Sequence, residues 1–378
     1  MPHRPLNILQ SCFSYSWGGL ELQALEVSAL LLNRGHGVWL ACSRGSRLQE
    51  EAMDRHIPTL PLRITGYVHP TAMWRLAGLI RHANIDVIHA QHSRDIATLV
   101  PAIKLTRRKI PLLLSKRVGS YIQKKDLFHR FTYGNVSRVL AISNVIHQNV
   151  LDTTPMTAEG VVTVHDAIDT ELFSPARINR TTIREEFGID AGTIVVGFVG
   201  RYSRGKGHED LLRAALILRE RRPHIRYLIV GEASYGEEDY ASTVKDLARS
   251  LGLDDIVTFT GYRGDIPEVM SAFDIFAFPS HAESFGVVLI EAMAMERPVV
   301  STNCDGVLDI VVDGETGLYV HPKNPEELAA ALLRLIENPA LRERLGKAGR
   351  ARVLEHFDQR KQVEELEGIY LGLLGAER

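Results

Sequence analysis

Ile194-Val195-Val196-Gly197-Phe198-Val199-Gly200 runs directly into the polar loop Arg201-Tyr202-Ser203-Arg204-Gly205-Lys206-Gly207-His208, and Glu209 to Arg219 reads as a helix. A short apolar run ended by glycine is a strand buried on both faces. Strand, polar loop and helix in that order form the repeating unit of a parallel sheet. The unit recurs downstream. Tyr227-Leu228-Ile229-Val230-Gly231 is a strand, a helix lies near Tyr240 to Leu251, and Val257–Thr260, Ile275–Phe278 and Pro298–Val300 complete the core strands.

The same alternation stands upstream. Leu6–Leu9 is a first strand, Ser16-Trp17-Gly18-Gly19 a glycine turn, and Glu21 to Asn33 a helix with Leu22, Leu25, Ala29 and Leu32 at helical spacing. Gly35 and Gly37 stop it. Val38–Ala41, Asp86–Ala90, Pro111–Ser115 and Arg138–Ser143 read as further strands. The pattern breaks at Phe173-Ser174-Pro175-Ala176-Arg177, which reads as a linker. The expectation is therefore α/β, with two doubly wound Rossmann-like domains over residues 1–172 and 173–357. A last amphipathic helix over 358–378, marked by Gln362, Leu366, Tyr370 and Leu373, would pack back on the first domain to cover its apolar face. Ligands of such sheets bind outside the carboxyl ends of the strands, so two facing sheets would enclose a central cleft.

Composition narrows the class. The chain has 378 residues, 45% hydrophobic and 24% charged, with a formal net charge of −2. That is ordinary for a globular protein and gives no general attraction to nucleic acid. The three cysteines, Cys12, Cys42 and Cys304, are scattered without metal-ligand or disulfide spacing. Neither a signal-peptide apolar region nor a run of membrane-spanning length is visible, so a cytoplasmic protein is expected. One stretch is strongly basic. Between Lys104 and Arg138 ten Lys or Arg residues face only Asp126, with Tyr121, Phe128, Phe131 and Tyr133 interleaved. This pattern fits an anionic membrane surface or a phosphorylated acceptor, and it also fits a solvated face over a few core aromatics.

The chemistry concentrates in Glu283-Ser284-Phe285-Gly286-Val287-Val288-Leu289-Ile290-Glu291. Phe285-Gly286 opens a helix with unpaired backbone N–H groups, a start that attracts phosphate. Glu283 and Glu291 flank it with carboxylates that accept hydrogen bonds from sugar hydroxyls. Arg201 and Lys206 add two cations at a strand end, suited to a diphosphate leaving group. The glycine spacing of that loop is neither a nucleotide-triphosphatase phosphate loop nor a dinucleotide fingerprint.

Taken together, Gly200-Arg201…Lys206-Gly207, Glu283 to Glu291 with Ala292-Met293-Ala294, Arg297-Pro298-Val299 and Asp313-Gly314-Glu315-Thr316-Gly317-Leu318 resemble glycosyltransferase family 4. These are retaining enzymes of the GT-B fold. Gly18-Gly19, Ala141-Ile142-Ser143-Asn144 and the Phe357 tail extend the resemblance over nearly the whole chain. The resemblance implies that Arg201 and Lys206 neutralise the donor diphosphate, Glu291 binds the ribose and Glu283 binds hydroxyls of the transferred sugar. It implies that the backbone of Phe285, Gly286, Val287 and Val288 cradles phosphates and sugar, with Gly18 and Gly19 approaching the diphosphate. The base would lie by Gly261-Tyr262-Arg263. A histidine near the transferred sugar corresponds to His92 or His89, and His92 is preferred because His89 should point into the core. No Asp-x-Asp motif is placed for a diphosphate, and the family implies neither metal nor other cofactor. Two departures, Asp166-Ala167-Ile168-Asp169 and Asp305-Gly306-Val307-Leu308-Asp309, weaken any transfer of fine specificity. The implied partners are a nucleotide-sugar donor and a lipid-linked or cell-surface glycan acceptor, as in lipopolysaccharide or polysaccharide synthesis at the inner face of a membrane. A soluble acceptor and a non-catalytic nucleotide-sugar-binding protein are the alternatives.

Overall fold

The computed structural model describes residues 4–64, 69–219, 221, 224–233 and 236–376. They form two compact units. The first holds the chain up to Asp166 together with the residues from Arg360 on, and the second holds Ala167–Gln359.

The first unit is built on β1 (Asn7–Cys12), β2 (Gly37–Ser43), β3 (Thr59–Leu62), β4 (Val87–Ala90), β5 (Leu112–Lys116), β6 (Arg138–Ala141) and β7 (Val161–Thr163). All pair in parallel, in the order β3-β2-β1-β4-β5-β6-β7. The second unit is built on β8 (Ile194–Val199), β9 (Ile225–Val230), β10 (Val257–Gly261), β11 (Ile275–Phe278), β12 (Val299–Thr302) and β13 (Gly317–Val320). Its order is β10-β9-β8-β11-β12-β13, again all parallel. Each sheet reverses its winding once, between β1 and β4 in one and between β8 and β11 in the other. Such a reversal leaves the two following loops diverging, and the crevice between them is where ligands of open α/β sheets bind.

Side-chain size explains the central strands. β8 is apolar and buried along most of its length, and Gly197 within it has no Cβ for a specific reason. A Cβ there would fall 2.2 Å from the ring of Phe273, which packs on the strand and is fully buried. In the first unit Leu6, Ile8, Val27 and Leu31 share a core with Val363, Leu366 and Tyr370 of the helix Gln359–Ala376.

The chain enters the second unit earlier than the proline signal implied. Ile168 donates its N–H to Phe357 O at 3.0 Å, and Gln359 donates its N–H to Ile168 O at 3.0 Å. The division therefore falls at Ala167 rather than 173. Pro175 opens a single 3₁₀ turn, Pro175–Arg177, beside the buried Phe173, whose carbonyl accepts from Arg350 Nη1 at 3.0 Å. Among the described residues no helix is long and apolar enough to cross a membrane.

Candidate functional site

The reversal point of the second sheet brings the polar loop after β8 against the loop after β11. Gly207 has φ +79°, and a Cβ on it would stand 2.0 Å from Pro279 O. His281 donates its N–H to Gly205 O at 2.7 Å, and its Nε2 lies 2.6 Å from Asp210 Oδ2. These contacts clamp the two loops together and deliver Lys206 to Glu283, with Nζ donating to Oε2 at 2.6 Å. The pair is 26% and 16% exposed, so water still reaches the cation. The loop after β12 braces Glu283 from behind. Glu283 donates its N–H to Asp305 Oδ2 at 3.2 Å and accepts from Gly306 N–H at 2.9 Å. Gly306 itself must lack a Cβ, which would fall 2.2 Å from Ser284 O.

Three residues beyond Glu283, Gly286 takes φ +107°, a left-handed conformation that glycine adopts without strain. It starts the helix Val287–Ala294, and no side chain caps that start. Phe285 is buried with its ring 5.8 Å from that of Phe357, which fixes the turn. Glu291 lies one turn in, on the same helical face as Val287 and Val288. It is half-buried and makes no side-chain hydrogen bond or ion pair among the described residues. Burial pushes its carboxyl up to about 7. A helix start with positive polarity, a lysine paired to one carboxylate and a second carboxylate in waiting thus share one edge of one sheet.

The raised carboxyl has a consequence for stability. Its folded pKa exceeds the unfolded value of about 4.5, so it contributes full stability below that pH and loses it as pH rises through about 7. Glu291→Gln should therefore melt higher than wild type at pH 8, by up to about 3 kcal/mol, and equally at pH 4. Equal melting at both pH values would show that Glu291 is solvated.

In the first unit, Gly18 and Gly19 stand at the start of the helix Gly19–Asn33, and nothing lies within 4 Å of a Cβ placed on Gly19. His92 follows β4 on the other side of that sheet's reversal point. Its Nδ1 is 3.6 Å from Asp95 Oδ1, too far for a hydrogen bond, and both atoms are buried without a partner. The other Asp95 oxygen accepts from Ser11 Oγ at 2.9 Å and from Phe13 N–H at 3.3 Å. His89 is a core residue. Its two ring nitrogens meet Tyr370 OH at 2.7 Å and Ser115 Oγ at 2.8 Å, and burial, aided by Arg117, lowers its pKa to about 3.

Residues 179–352 match the family model of glycosyl transferases group 1, and residues 17–172 that of glycosyltransferase family 4. The chain thus carries a glycosyltransferase family 4 domain followed by a glycosyl transferases group 1 domain. Among its relatives is a D-inositol 3-phosphate glycosyltransferase of Corynebacterium aurimucosum, 36% identical over 58% of this chain and 53% of that protein. The chain thus spans about half the length of that relative. The capsular polysaccharide biosynthesis glycosyltransferase CapM of Staphylococcus aureus is 30% identical over 61% of this chain and 60% of its own. The solved structure of HepE from Anabaena in complex with UDP superposes with a TM-score of 0.86, at 24% identity, covering 97% of this chain and 100% of that one. This places the chain in the GT-B fold.

Of the residues singled out in sequence, the structure gathers Arg201, Lys206, Glu283, Phe285, Gly286, Val287, Val288 and Glu291 at one sheet edge of the second unit. His92, Gly18 and Gly19 gather at the corresponding edge of the first. Tyr262 is 63% exposed after β10. Arg263 is held by protein carboxylates, at 2.5 Å from both Asp265 in its own loop and Glu186 at the end of the helix Arg180–Glu186, so its guanidinium is committed to the protein. The basic segment needs correction as a single surface. Lys116 is 6% exposed and Tyr133 is buried. Arg117 pairs with Asp166 at 3.2 Å, and Arg108 donates to Ile80 O and Ile85 O. Lys104, Arg107, Lys109, Lys125 and Arg130 remain exposed. Sequence reasoning missed the bracing partners Asp210, His281, Asp305 and Gly306. They act on other side chains through the fold, and no local spacing announces such ties. Among the described residues no three His, Cys, Asp or Glu side chains gather to hold a metal ion.

Proposed function

We propose that this glycosyltransferase moves a sugar, with retention of configuration and without a metal, from a nucleotide-sugar to a lipid-linked or cell-surface glycan. The Lys206–Glu283 pair at an uncapped helix start carries this reading. Glu283 alone would repel a diphosphate, and Lys206 cancels that charge while offering a cation to the leaving group. In the reaction the bond between the anomeric carbon and the diphosphate oxygen breaks, and Lys206, Arg201 and the N–H groups of Gly286, Val287 and Val288 take up the growing negative charge. Glu283 and Glu291 accept hydrogen bonds from the sugar and the ribose. A double displacement needs a carboxylate about 3 Å from the anomeric carbon. Glu283 is engaged with Lys206 and with hydroxyls, so departure and attack on one face fit better, with the departing phosphate accepting the acceptor's proton. UDP, the nucleotide bound by HepE, is the first to test.

The capsular function of CapM and the exposed apolar and basic side chains of the first unit support an acceptor at a membrane surface. Tyr121, Ile122 and Leu127 are 105%, 73% and 84% exposed beside Lys125 and Arg130. Each basic residue near an anionic bilayer is worth about 1 kcal/mol. Reversing Lys125 and Arg130 to Glu should cut cosedimentation with anionic vesicles by roughly thirtyfold or more without changing donor affinity. Equal sedimentation of wild type and variant would favour a soluble acceptor.

A further inference from the structure

Lys116 ends β5 and is 6% exposed, an uncommon setting for an ammonium group. Its Nζ meets one side chain, Ser93 Oγ at 3.3 Å. Burial, and then the charge of Lys124, bring its pKa down to about 8. Lys124 is depressed in turn by its own burial and by Arg94. No carboxylate among the described residues pairs with Lys116, Lys124 or Arg94. A buried cation with a like charge nearby and no counter-charge is unfavourable unless something neutralises it.

The surroundings are built rather than loose. The loop carrying Lys124 is pinned to the helix Asn144–Thr153. Lys124 donates its N–H to Thr153 O at 2.7 Å, Ser120 donates its N–H to Asn149 Oδ1 at 2.7 Å, and Asn149 Nδ2 returns a bond to Ser120 O at 3.0 Å. Ser93 and Arg94 sit in the turn after β4, directly following His92. Two further polar atoms near this turn are buried and unsatisfied, His92 Nδ1 and the hydroxyl of Tyr133, which is 2% exposed. Lys116, Ser93 and Lys124 thus lie together beside the histidine at the sheet's carboxyl edge, and Ser93 Oγ is a neutral acceptor that leaves the charge of the two lysines unanswered.

We propose that Lys116, Lys124, Arg94 and Ser93 bind a phosphate-class oxyanion carried by the acceptor. This rests on the glycosyltransferase reading and names the acceptor's charged group. The oxyanion holds the acceptor by a part that does not react, leaving a hydroxyl to be presented near His92. The same chemistry belongs to a soluble phosphomonoester and to a phosphorylated lipid headgroup.

The test uses the full chain saturated with UDP, so that phosphate cannot enter the donor site. Glycerol phosphate is titrated calorimetrically, and vesicles of phosphatidylcholine containing phosphatidate form the second arm. Lys116→Met keeps an unbranched apolar stem at a nearly buried position and should fold; Lys124→Gln, at a half-buried position, is the second variant. Both should weaken binding about tenfold or more, the cost of losing a charged hydrogen bond, and Lys116→Arg should restore much of it. Loss of glycerol phosphate binding assigns the site to a soluble phospho-acceptor. Loss confined to phosphatidate vesicles assigns it to a lipid headgroup, because Lys116 is too buried to meet a bilayer surface directly. Wild type binding neither probe, or both variants binding both probes as wild type does, overturns the proposal. A chain that UDP fails to saturate, yet that binds glycerol phosphate through Lys116, would sink the donor assignment and leave this site standing.

Discussion

Lys206→Ala should lower turnover by a factor on the order of a hundred or more while the protein stays folded. A group that stabilises charge growing on a leaving oxygen commonly contributes about 3 kcal/mol in the transition state. Lys206 is anchored to Glu283 at 2.6 Å, so the cation is in place before the donor arrives and no ordering is needed during the reaction. Its side chain is partly exposed and lies outside the core, so the melting temperature should hardly move. The loss should fall mainly on kcat, because the leaving charge is larger in the transition state than in the bound donor. Steady-state kinetics with the cognate donor decide this. A variant whose kcat is within a few-fold of wild type would remove Lys206 from the charge-stabilising role.

Gly207→Ala should be far more damaging than Gly205→Ala, two residues away. Both glycines have positive φ, +79° and +85°. An alanine in that region pays a backbone cost of roughly 1–2 kcal/mol at either site. Only at Gly207 does the new Cβ meet a main-chain oxygen, Pro279 O, at 2.0 Å, whereas nothing lies within 4 Å of it at Gly205. A backbone atom cannot rotate away as a side chain can, so the loops after β8 and β11 must separate. That separation would carry Lys206 from Glu283. Gly207→Ala should lose about 3 kcal/mol or more in urea unfolding, together with most of its donor binding. Equal stability of the two variants would show that the loops are not clamped as described.

Much of this was legible in the chain because buried parallel strands are nearly continuous apolar runs. Ile194–Val199 and Ile275–Phe278 stand out in the sequence and form the two strands that flank the reversal point. The strands that escaped reading are β3, β7 and β13, all at sheet edges. They are only three or four residues long, and Pro61 sits inside β3, where an edge strand tolerates it. β3 and β7 are also less buried than a central strand, so their apolar signal is weaker. The site divided in the same way. Lys206, Glu283 and Glu291 could be singled out because a cation and two carboxylates beside a glycine helix start have a chemical meaning together. Asp305 could not, since its role is to accept the N–H of Glu283 from a loop 22 residues further on. The basic segment misled for a related reason. Charge counted along a chain does not tell Lys125 on the surface from Lys116 beneath it.

The central claim is that the edge formed by Lys206, Glu283 and the helix start at Gly286 handles a nucleotide-sugar diphosphate by protein charge alone. It is tested most directly by following the anomeric proton by NMR while the full chain is incubated with UDP-sugars, then with GDP- and ADP-sugars, and with candidate acceptors in excess EDTA. The expected result is release of the nucleoside diphosphate with a product that keeps the donor's anomeric configuration. A product of inverted configuration, or turnover abolished by EDTA and restored by Mg²⁺ or Mn²⁺, would contradict it.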